Sequence, residues 1–237
     1  LPTYLKHMKD SNAVLVEDIQ RLSNNYLLSE TDVSHVHRLQ AELESLEESV
    51  LELTSEQEEH SEPYSLLEER LENLQATLKE IEDEQVAVSQ RLAQIEKDDI
   101  NARQKANIYV NRLHTIKRYM EKRNLPGIPQ SFLQLFFTAS NHTEELMAEL
   151  EEAQVNIEAV NRMLEITTND MEELEEETYN IVQYATLTEQ LLQYSNRYRS
   201  FDERIQEAFN ESLEIFEKEF DYHASFDKIS QALEVAE

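Results

Sequence analysis

The 237-residue sequence contains no cysteine, no tryptophan, one glycine and four prolines. Without cysteine, a disulfide framework and thiol chemistry are excluded, and the composition fits a cytosolic location. One glycine cannot build a glycine-rich phosphate-binding loop. No apolar run approaches the roughly eighteen residues that cross a bilayer, and no signal-peptide pattern opens the chain. Few chain breakers beside 30% charged residues are typical of long helices and coiled coils.

Positive charge is also scarce, with 21 Lys and Arg against 50 Asp and Glu and a formal net charge of −29. Nucleic acids are bound through cations that face phosphates, so this balance argues against a nucleic-acid partner. It also disfavours direct binding to anionic lipid. Because the chain begins at Leu1 without methionine and ends within a helical pattern at Glu237, we expect it to be a piece of a longer protein.

One stretch, from Tyr64 to Leu125, organises the rest of the chain. It lies between Pro63 and Pro126, and its apolar residues recur alternately four and three positions apart, with only Gln85 and Asp99 breaking the pattern. This heptad spacing predicts a single helix about 90 Å long that packs through one narrow face. Neighbouring segments are about half as long, so we expect this helix to close one bundle and open the next. The apolar positions are Leu67, Leu71, Leu74, Leu78, Ile81, Val88, Leu92, Ile95, Ala102, Ala106, Tyr109, Leu113, Ile116 and Met120.

Two shorter helices precede this stretch. The same spacing runs from Leu5 to Tyr26, and Ser29–Asp32 supplies capping residues for a turn into a second helix with Val36, Leu39 and Leu43 on its seam. That helix is predicted to end at His60–Pro63, since a proline suits the first turn of the next helix. After the long helix, the turn Asn124–Pro129 forms a firm boundary in which Gly127 can take a left-handed conformation.

The second half of the chain is predicted to repeat this plan. One helix carries a seam from Phe132 to Leu164 and ends at a capping turn, Thr167–Asp170. The next begins near Met171 and crosses Asn196–Ser200 without a phase break, and a last break falls at Tyr222–Ser225. The apolar seam of this second helix comprises Tyr184, Leu187, Leu191, Tyr194, Tyr198, Phe201, Ile205 and Ala208.

These patterns predict an all-α fold, an extended rod of antiparallel three-helix, spectrin-like repeats that share long connecting helices. Residues 1–96 form the first triple-helical repeat, 97–198 the second, and 199–237 a C-terminal helical segment that starts a partial further repeat. The competing architecture is one long parallel dimeric coiled coil, against which the three interruptions argue. Oligomeric state stays open, and a homo-oligomer is compatible with the pattern.

Cations cluster in one band of this acidic chain, residues 97–123. The band is either a docking surface or an internal counterweight to glutamate-rich neighbours, and the second interpretation is favoured. Its members are Lys97, Arg103, Lys105, Arg112, Lys117, Arg118, Lys122 and Arg123.

Residue patterns of enzymes are absent from the sequence. None of the seven histidines has a glutamate three positions before it, as a di-metal helical bundle would require. His35 and His37 are two apart and point to different faces of a helix. We therefore expect no catalytic residue, no metal site and no cofactor. The rival hypothesis of a bundle enzyme or metal carrier requires metal that stays bound through purification.

One polar group is a candidate binding site. Gln193, Asn196 and Arg197 are spaced by three and four, so they share a predicted helix face, and Arg199 and Arg204 lie nearby in sequence. Their position opposite the seam predicts a solvent-exposed cluster of hydrogen-bonding groups. Spacing alone favours ordinary solvated surface over a partner site.

The segment Leu187–Arg199, with sequence LTEQLLQYSNRYR, closely resembles the C-terminal signature of the EzrA family, the septation ring formation regulators of low-GC Gram-positive bacteria. The turn Asn124–Pro129 and the Phe-rich helix after it are similar to that family too, and the resemblance spans essentially the whole chain. Ser195 stands where a small apolar residue is expected.

The resemblance implies spectrin-like repeats from the C-terminal part of a cytoplasmic domain, with a membrane anchor N-terminal to Leu1. It implies a non-enzymatic regulator and scaffold of cell division on the cytoplasmic face of the membrane, at the division septum. Such a protein binds FtsZ, restrains Z-ring assembly away from midcell, and contacts other division or wall-synthesis proteins. Gln193, Asn196 and Arg197 match the family's patch implicated in midcell localisation. The alternative is a mechanical coiled-coil spacer or cytoskeletal crosslinker without specific FtsZ binding.

Overall fold

Long amphipathic helices make up the computed structural model, which describes residues 2–59 and 64–236. The predicted all-α fold is confirmed. The described elements are α1 (Pro2–Ser23), α2 (Glu30–Glu59), α3 (Tyr64–Arg123), α4 (Gln130–Leu150), α5 (Ile157–Ser195), α6 (Glu203–Glu214), a π-helical turn (Ile215–Glu219) and α7 (Tyr222–Ala236). The helix end predicted at His60–Pro63 lies outside the described residues.

The chain divides into two compact units. The first comprises Leu1–Asn101 with Glu149–Val160, and the second comprises Ala102–Ala148 with Asn161–Glu237. Helix α3 is unbroken for 60 residues, and it contributes its first part to one unit and its last 22 residues to the other. The division into triple-helical repeats ending at residues 96 and 198 stays a prediction.

In the first unit, three helices share one core. One cluster joins the start of α1 to the middle of α2 and the first third of α3, through Met8, Leu43 and Ile81. A second joins the end of α1 to the start of α2 and a later part of α3, through Leu22 and Val36. Since early α1 residues meet later α2 residues, α2 runs antiparallel to α1, and α3 runs antiparallel to α2. Three-helix packing therefore forms the core of this unit.

The two polar positions in the α3 seam are buried with the apolar ones. Gln85 is 5% exposed, and its Nε2 donates to the backbone oxygen of Met8 at 3.0 Å. Asp99 is 9% exposed. A buried polar group must find a hydrogen bond to offset its lost hydration, and Gln85 finds one on α1. The heptad register of α3 thus continues through both of its apparent interruptions.

The break between α4 and α5 lies at residues 151–156, which corrects the prediction of one helix through Leu164 and a turn at Thr167–Asp170. Here the backbone leaves the helix and pairs with the α1–α2 connection. The Leu27 amide donates to Val155 O and the Val155 amide donates to Asn25 O, both at 2.9 Å. These long-range bonds satisfy backbone groups that a helix would satisfy locally. Neither proline nor glycine marks the break, so local sequence did not reveal it.

In the second unit, α3, α4 and α5 pack side by side. Tyr109 OH lies 2.7 Å from Thr168 Oγ1, and Arg123 Nη2 donates to Thr186 Oγ1 at 3.0 Å further along both helices. Residue numbers therefore increase in the same direction along both helices, so α3 and α5 are parallel. Ser131 on α4 donates to Glu177 at 3.0 Å, whereas the later His142 contacts the earlier Asp170, so α4 is antiparallel to α5.

The buried face of α5 differs from the predicted seam in its second half. It steps by three and four along the whole helix and uses threonine and serine as seam residues. Thr167, Thr178 and Thr188 return their hydroxyls to the carbonyl four residues earlier, at 2.6 to 2.7 Å. This local bond lets a polar side chain occupy a core position. The buried set is Ile157, Val160, Leu164, Thr167, Met171, Leu174, Thr178, Ile181, Ala185, Thr188, Leu192 and Ser195.

The turn after α3 is confirmed, but its left-handed residue is Asn124, with φ of 53°. Gly127 does not have positive φ, which corrects the prediction for it. Glycine is required there by close approach, because a Cβ at Gly127 would lie 2.4 Å from the ring of Phe220. Tyr222 OH also donates to Gly127 O at 2.6 Å. The start of α7 thereby packs on the end of α3.

The C-terminal helices fold back onto α5. Tyr184 contacts the rings of His223 and Phe226, and Thr188 Oγ1 lies 3.4 Å from Ser225 Oγ. Ser212 of α6 donates to Ser225 O at 2.7 Å and joins α6 to α7. The break before α7 falls at Phe220–Asp221, just ahead of the predicted Tyr222–Ser225. Residues 199–237, predicted to start a further repeat, belong to the second unit.

Candidate functional site

The predicted patch lies where α5 ends and the chain turns into α6. Helix α5 stops at Ser195, residues 196–201 form a turn, and Asp202 caps α6 by accepting the Arg204 amide at 2.9 Å. The predicted uninterrupted helix across Asn196–Ser200 is therefore wrong. The turn keeps helix-like bonds at its start, where the Asn196 amide donates to Leu192 O at 3.1 Å. We call the surface formed by residues 193–201 the α5–α6 turn.

All three predicted site residues are exposed in this turn. Gln193 is on the last turn of α5, whereas Asn196 and Arg197 follow the helix end, so the three do not share one helix face as predicted. The Arg197 amide makes only a long bond, 3.4 Å to Tyr194 O. The structure thus presents an amide, a second amide and a guanidinium to solvent within five residues of chain.

Arg199 holds the turn in place. Its Nη1 donates to Asn196 Oδ1 at 3.1 Å and its Nε donates to Gln206 Oε1 on α6 at 3.2 Å. Its guanidinium carbon lies 3.8 Å from the centre of the Phe209 ring, in cation–π geometry. One half-buried cation therefore ties the turn to α6 and orients the Asn196 side chain, whose amide nitrogen stays available to donate. The residue spacing by itself places Arg199 near the patch but does not indicate this bracing role.

Three aromatic residues in the same turn are exposed, which sequence analysis missed. Tyr194 and Tyr198 are 45% and 41% exposed, with ring centres 5.5 Å apart, and Phe201 is 86% exposed. The apolar spacing predicts all three in a buried seam, and the structure corrects this. The available signal was the second heptad phase through Thr188 and Ser195, in which these aromatics fall outside the core. Exposed aromatic side chains beside an arginine are typical of protein–protein hot spots.

The surroundings of Ser195 explain why serine can stand where the signature has a small apolar residue. It is fully buried, and its Oγ donates to Leu192 O at 3.0 Å. The position needs a small side chain because it is the last seam residue of α5, and the hydroxyl is satisfied locally. Serine therefore suits the position as a small apolar residue would.

The basic band is only partly explained as a counterweight. Arg112 Nη1 lies 3.5 Å from Glu175 and Arg123 Nη2 lies 3.2 Å from Glu189, both on α5. Lys117, Arg118 and Lys122 are exposed and make no ion pair within residues 2–59 and 64–236. The first two arginines neutralise acidic neighbours, whereas the last three cations face solvent.

A groove of about 480 Å³ lies between the starts of α4 and α7 in the second unit. Carboxylates and aromatic rings line it, among them Glu177, Asp221 and Tyr184. Burial raises the pKa of Tyr222 at its edge, against the lowering effects of a hydrogen bond from the Gly127 backbone and of the Arg123 charge. Across the described ranges, no group of three or more His, Asp or Glu residues is arranged to hold a metal ion.

The chain was compared with known proteins. The family model described as "Septation ring formation regulator, EzrA" matches residues 1–237. Proteins named septation ring formation regulator EzrA from Streptococcus pneumoniae strains Hungary19A-6, G54 and D39 / NCTC 7466 are each 77% identical over 237 residues. The match covers 100% of this chain and 41% of each relative. No solved structure matches the chain. None of the described helices is long and apolar enough to span a membrane.

Proposed function

Because the chain belongs to the EzrA family of septation ring formation regulators, we propose that it is part of a non-enzymatic regulator and scaffold of bacterial cell division. It binds FtsZ, restrains Z-ring assembly away from midcell, and acts at the septum with other division or wall-synthesis proteins. The whole protein is held on the cytoplasmic face of the membrane by an anchor outside this fragment. The family match over the full chain carries this proposal.

Within this function, Gln193, Asn196 and Arg197 form the partner-recognition patch. The supporting observation is that all three are exposed in a turn braced by Arg199, beside Tyr194, Tyr198 and Phe201. Arg197 supplies a planar cation that binds a carboxylate through two parallel hydrogen bonds. The aromatic rings supply apolar area at low entropic cost. A braced turn loses little conformational entropy on binding, which favours affinity.

The test compares the wild-type chain with the triple variant Gln193→Ala, Asn196→Ala, Arg197→Ala. We expect the affinity of the variant for purified FtsZ to be lower by a factor of about ten or more. The reason is that the substitutions remove a bidentate arginine and two amides. A matched control is Gln183→Ala, Asn169→Ala, Arg162→Ala, which removes the same residue types from exposed positions elsewhere on α5. Binding is measured by co-sedimentation with FtsZ polymers and by surface plasmon resonance.

Circular dichroism confirms that each variant remains helical. In cells, the full-length protein with the same substitutions is followed by fluorescence, and lost midcell recruitment supports the patch. Unchanged recruitment and unchanged FtsZ affinity in the folded triple variant would remove the patch as a recognition site. If the wild-type chain shows no FtsZ binding at either low or moderate salt, the mechanical spacer remains as the better account of this fragment.

A further inference from the structure

The last 22 residues of α3, Ala102–Arg123, concentrate positive charge in an acidic protein. Only one carboxylate, Glu121, falls among them, in a chain with 50 Asp and Glu. They contain seven of its 21 Lys and Arg residues: Arg103, Lys105, Arg112, Lys117, Arg118, Lys122 and Arg123. Since Arg112 and Arg123 pair with α5, the packing of the second unit employs only part of this charge.

A second, exposed seam runs along the outward face of α3. Its residues are separated by three or four positions, except for the neighbours Arg118 and Tyr119, so they form one stripe on the side away from the buried face. None is a carboxylate, and all are exposed. Ile108 and Tyr119 are 46% and 50% exposed. We call this surface the α3 stripe; it comprises Ile108, Asn111, Thr115, Arg118, Tyr119 and Lys122.

We propose that the α3 stripe docks an acidic amphipathic helix of a partner protein. Ile108 lies at one end of the stripe and Tyr119 lies near the other, about 16 Å away at 1.5 Å per residue. Arg118 and Lys122 lie beside Tyr119, so a docking helix meets apolar contact and positive charge together. A partner helix with leucines at heptad spacing and flanking glutamates complements both.

Charge and shape single out this occupant. Nucleic acid and anionic membranes extend well beyond a stripe one helix wide, so they would also meet the carboxylates of an acidic chain. A single helix covers only the stripe itself.

The test uses a fluorescein-labelled 21-residue peptide with leucines at heptad positions and glutamates beside them. Fluorescence anisotropy in about 50 mM NaCl measures its binding to the wild-type chain. We expect Arg118→Glu with Lys122→Glu to weaken binding by about tenfold or more, because attraction becomes repulsion. Ile108→Ser with Tyr119→Ser is expected to weaken it to a similar degree, because the apolar anchors are lost. Raising the salt to about 300 mM should also weaken wild-type binding.

The control is Lys6→Glu with Lys97→Glu, which changes net charge equally at two exposed cations outside the stripe. We expect its affinity for the peptide to lie within about twofold of the wild-type affinity. A difference of that size reflects the changed net charge and its long-range attraction. Equal loss in this control, or equal binding of a peptide with lysines for glutamates, would refute a specific site. Absent peptide binding would overturn the proposal. If the stripe variants instead lose binding to phosphatidylserine vesicles, or lose self-association in sedimentation velocity, the occupant is a membrane or a second copy.

Discussion

At the residue scale, long-range contacts of a few side chains hold the C-terminal helices against the turn after α3. Tyr222 reaches from the start of α7 to the turn after α3, where its hydroxyl donates to Gly127 O at 2.6 Å. Phe220, with left-handed φ of 59°, places its ring against Gly127. A glycine and two aromatics thus join elements almost a hundred residues apart in sequence. Loss of any one of them should weaken the C-terminal end of the second unit.

Tyr222→Phe tests this contact through its pH dependence. Burial raises the pKa of Tyr222, so the folded protein keeps the phenol proton at a pH where the unfolded chain loses it. The free energy of unfolding therefore falls as pH rises above about 10. We expect the variant to be about 1 kcal/mol less stable at pH 7, through the lost hydrogen bond. The stability difference between the two proteins should shrink as pH rises above about 10, since only the wild type carries this penalty.

Urea unfolding followed by circular dichroism at several pH values measures both effects. Tyr4 also has a raised pKa, mainly through its hydrogen bond to Glu82, but it is present in both proteins and cancels in the comparison. A stability difference that stays constant from pH 7 to 11 would show that Tyr222 does not titrate with folding. Equal stability at pH 7 would show that the hydrogen bond contributes nothing.

At the element scale, helix α5 depends on threonine and serine as core residues. Its seam continues past Thr188 to Leu192 and Ser195, and this phase turns Tyr194, Tyr198 and Phe201 outward. The same choice of phase buries one helix face and exposes the aromatic part of the candidate site. Core residues and the exposed residues of the candidate site thus lie on opposite sides of one short segment.

A pair of alanine substitutions distinguishes the two phases. Leu192→Ala removes a buried side chain and should lower the free energy of unfolding by about 2–4 kcal/mol. Phe201→Ala removes a side chain that is 86% exposed and should change it by less than about 0.5 kcal/mol. Chemical denaturation gives both values under the same conditions. A larger cost for Phe201→Ala than for Leu192→Ala would restore the seam predicted from apolar spacing.

At the scale of the whole molecule, negative charge is the dominant electrostatic feature. A net charge of −29 means that carboxylates repel one another along every helix, and most of the ion pairs are surface pairs of small individual value. Added salt screens this repulsion, because the Debye length falls from about 30 Å at 0.01 M to about 8 Å at 0.15 M.

We therefore expect the thermal midpoint to rise with NaCl between about 0.01 and 0.2 M. A stabilisation of about 1 kcal/mol corresponds to roughly 2–4 °C for a chain of this size. Differential scanning calorimetry measures the change, with sucrose of matched osmolality as the control for non-ionic effects. A midpoint that falls with salt would mean that attractive ion pairs outweigh the repulsion.

The sequence by itself determined that the chain is helical, where α1 gives way to α2, and where α3 and the turn after it lie. It also identified the buried face of α3 from Leu78 to Met120, because heptad spacing of apolar residues expresses burial directly. Gln193, Asn196 and Arg197 are exposed as predicted, although that prediction rested on a seam and an uninterrupted helix that the structure does not have. These features depend on short-range periodicity, which a sequence records without reference to distant contacts.

Only the tertiary structure decided the break at residues 151–156, the phase of α5 and the role of Gly127. The break depends on backbone bonds to Asn25 and Leu27, more than a hundred residues away. Threonine and serine are polar residues, so apolar spacing does not include them in a seam. In α5 their hydroxyls donate to carbonyls of the same helix, and the residues pack in the core. Gly127 is needed because Phe220 folds onto it from the C-terminal helices, a constraint that local propensity does not contain.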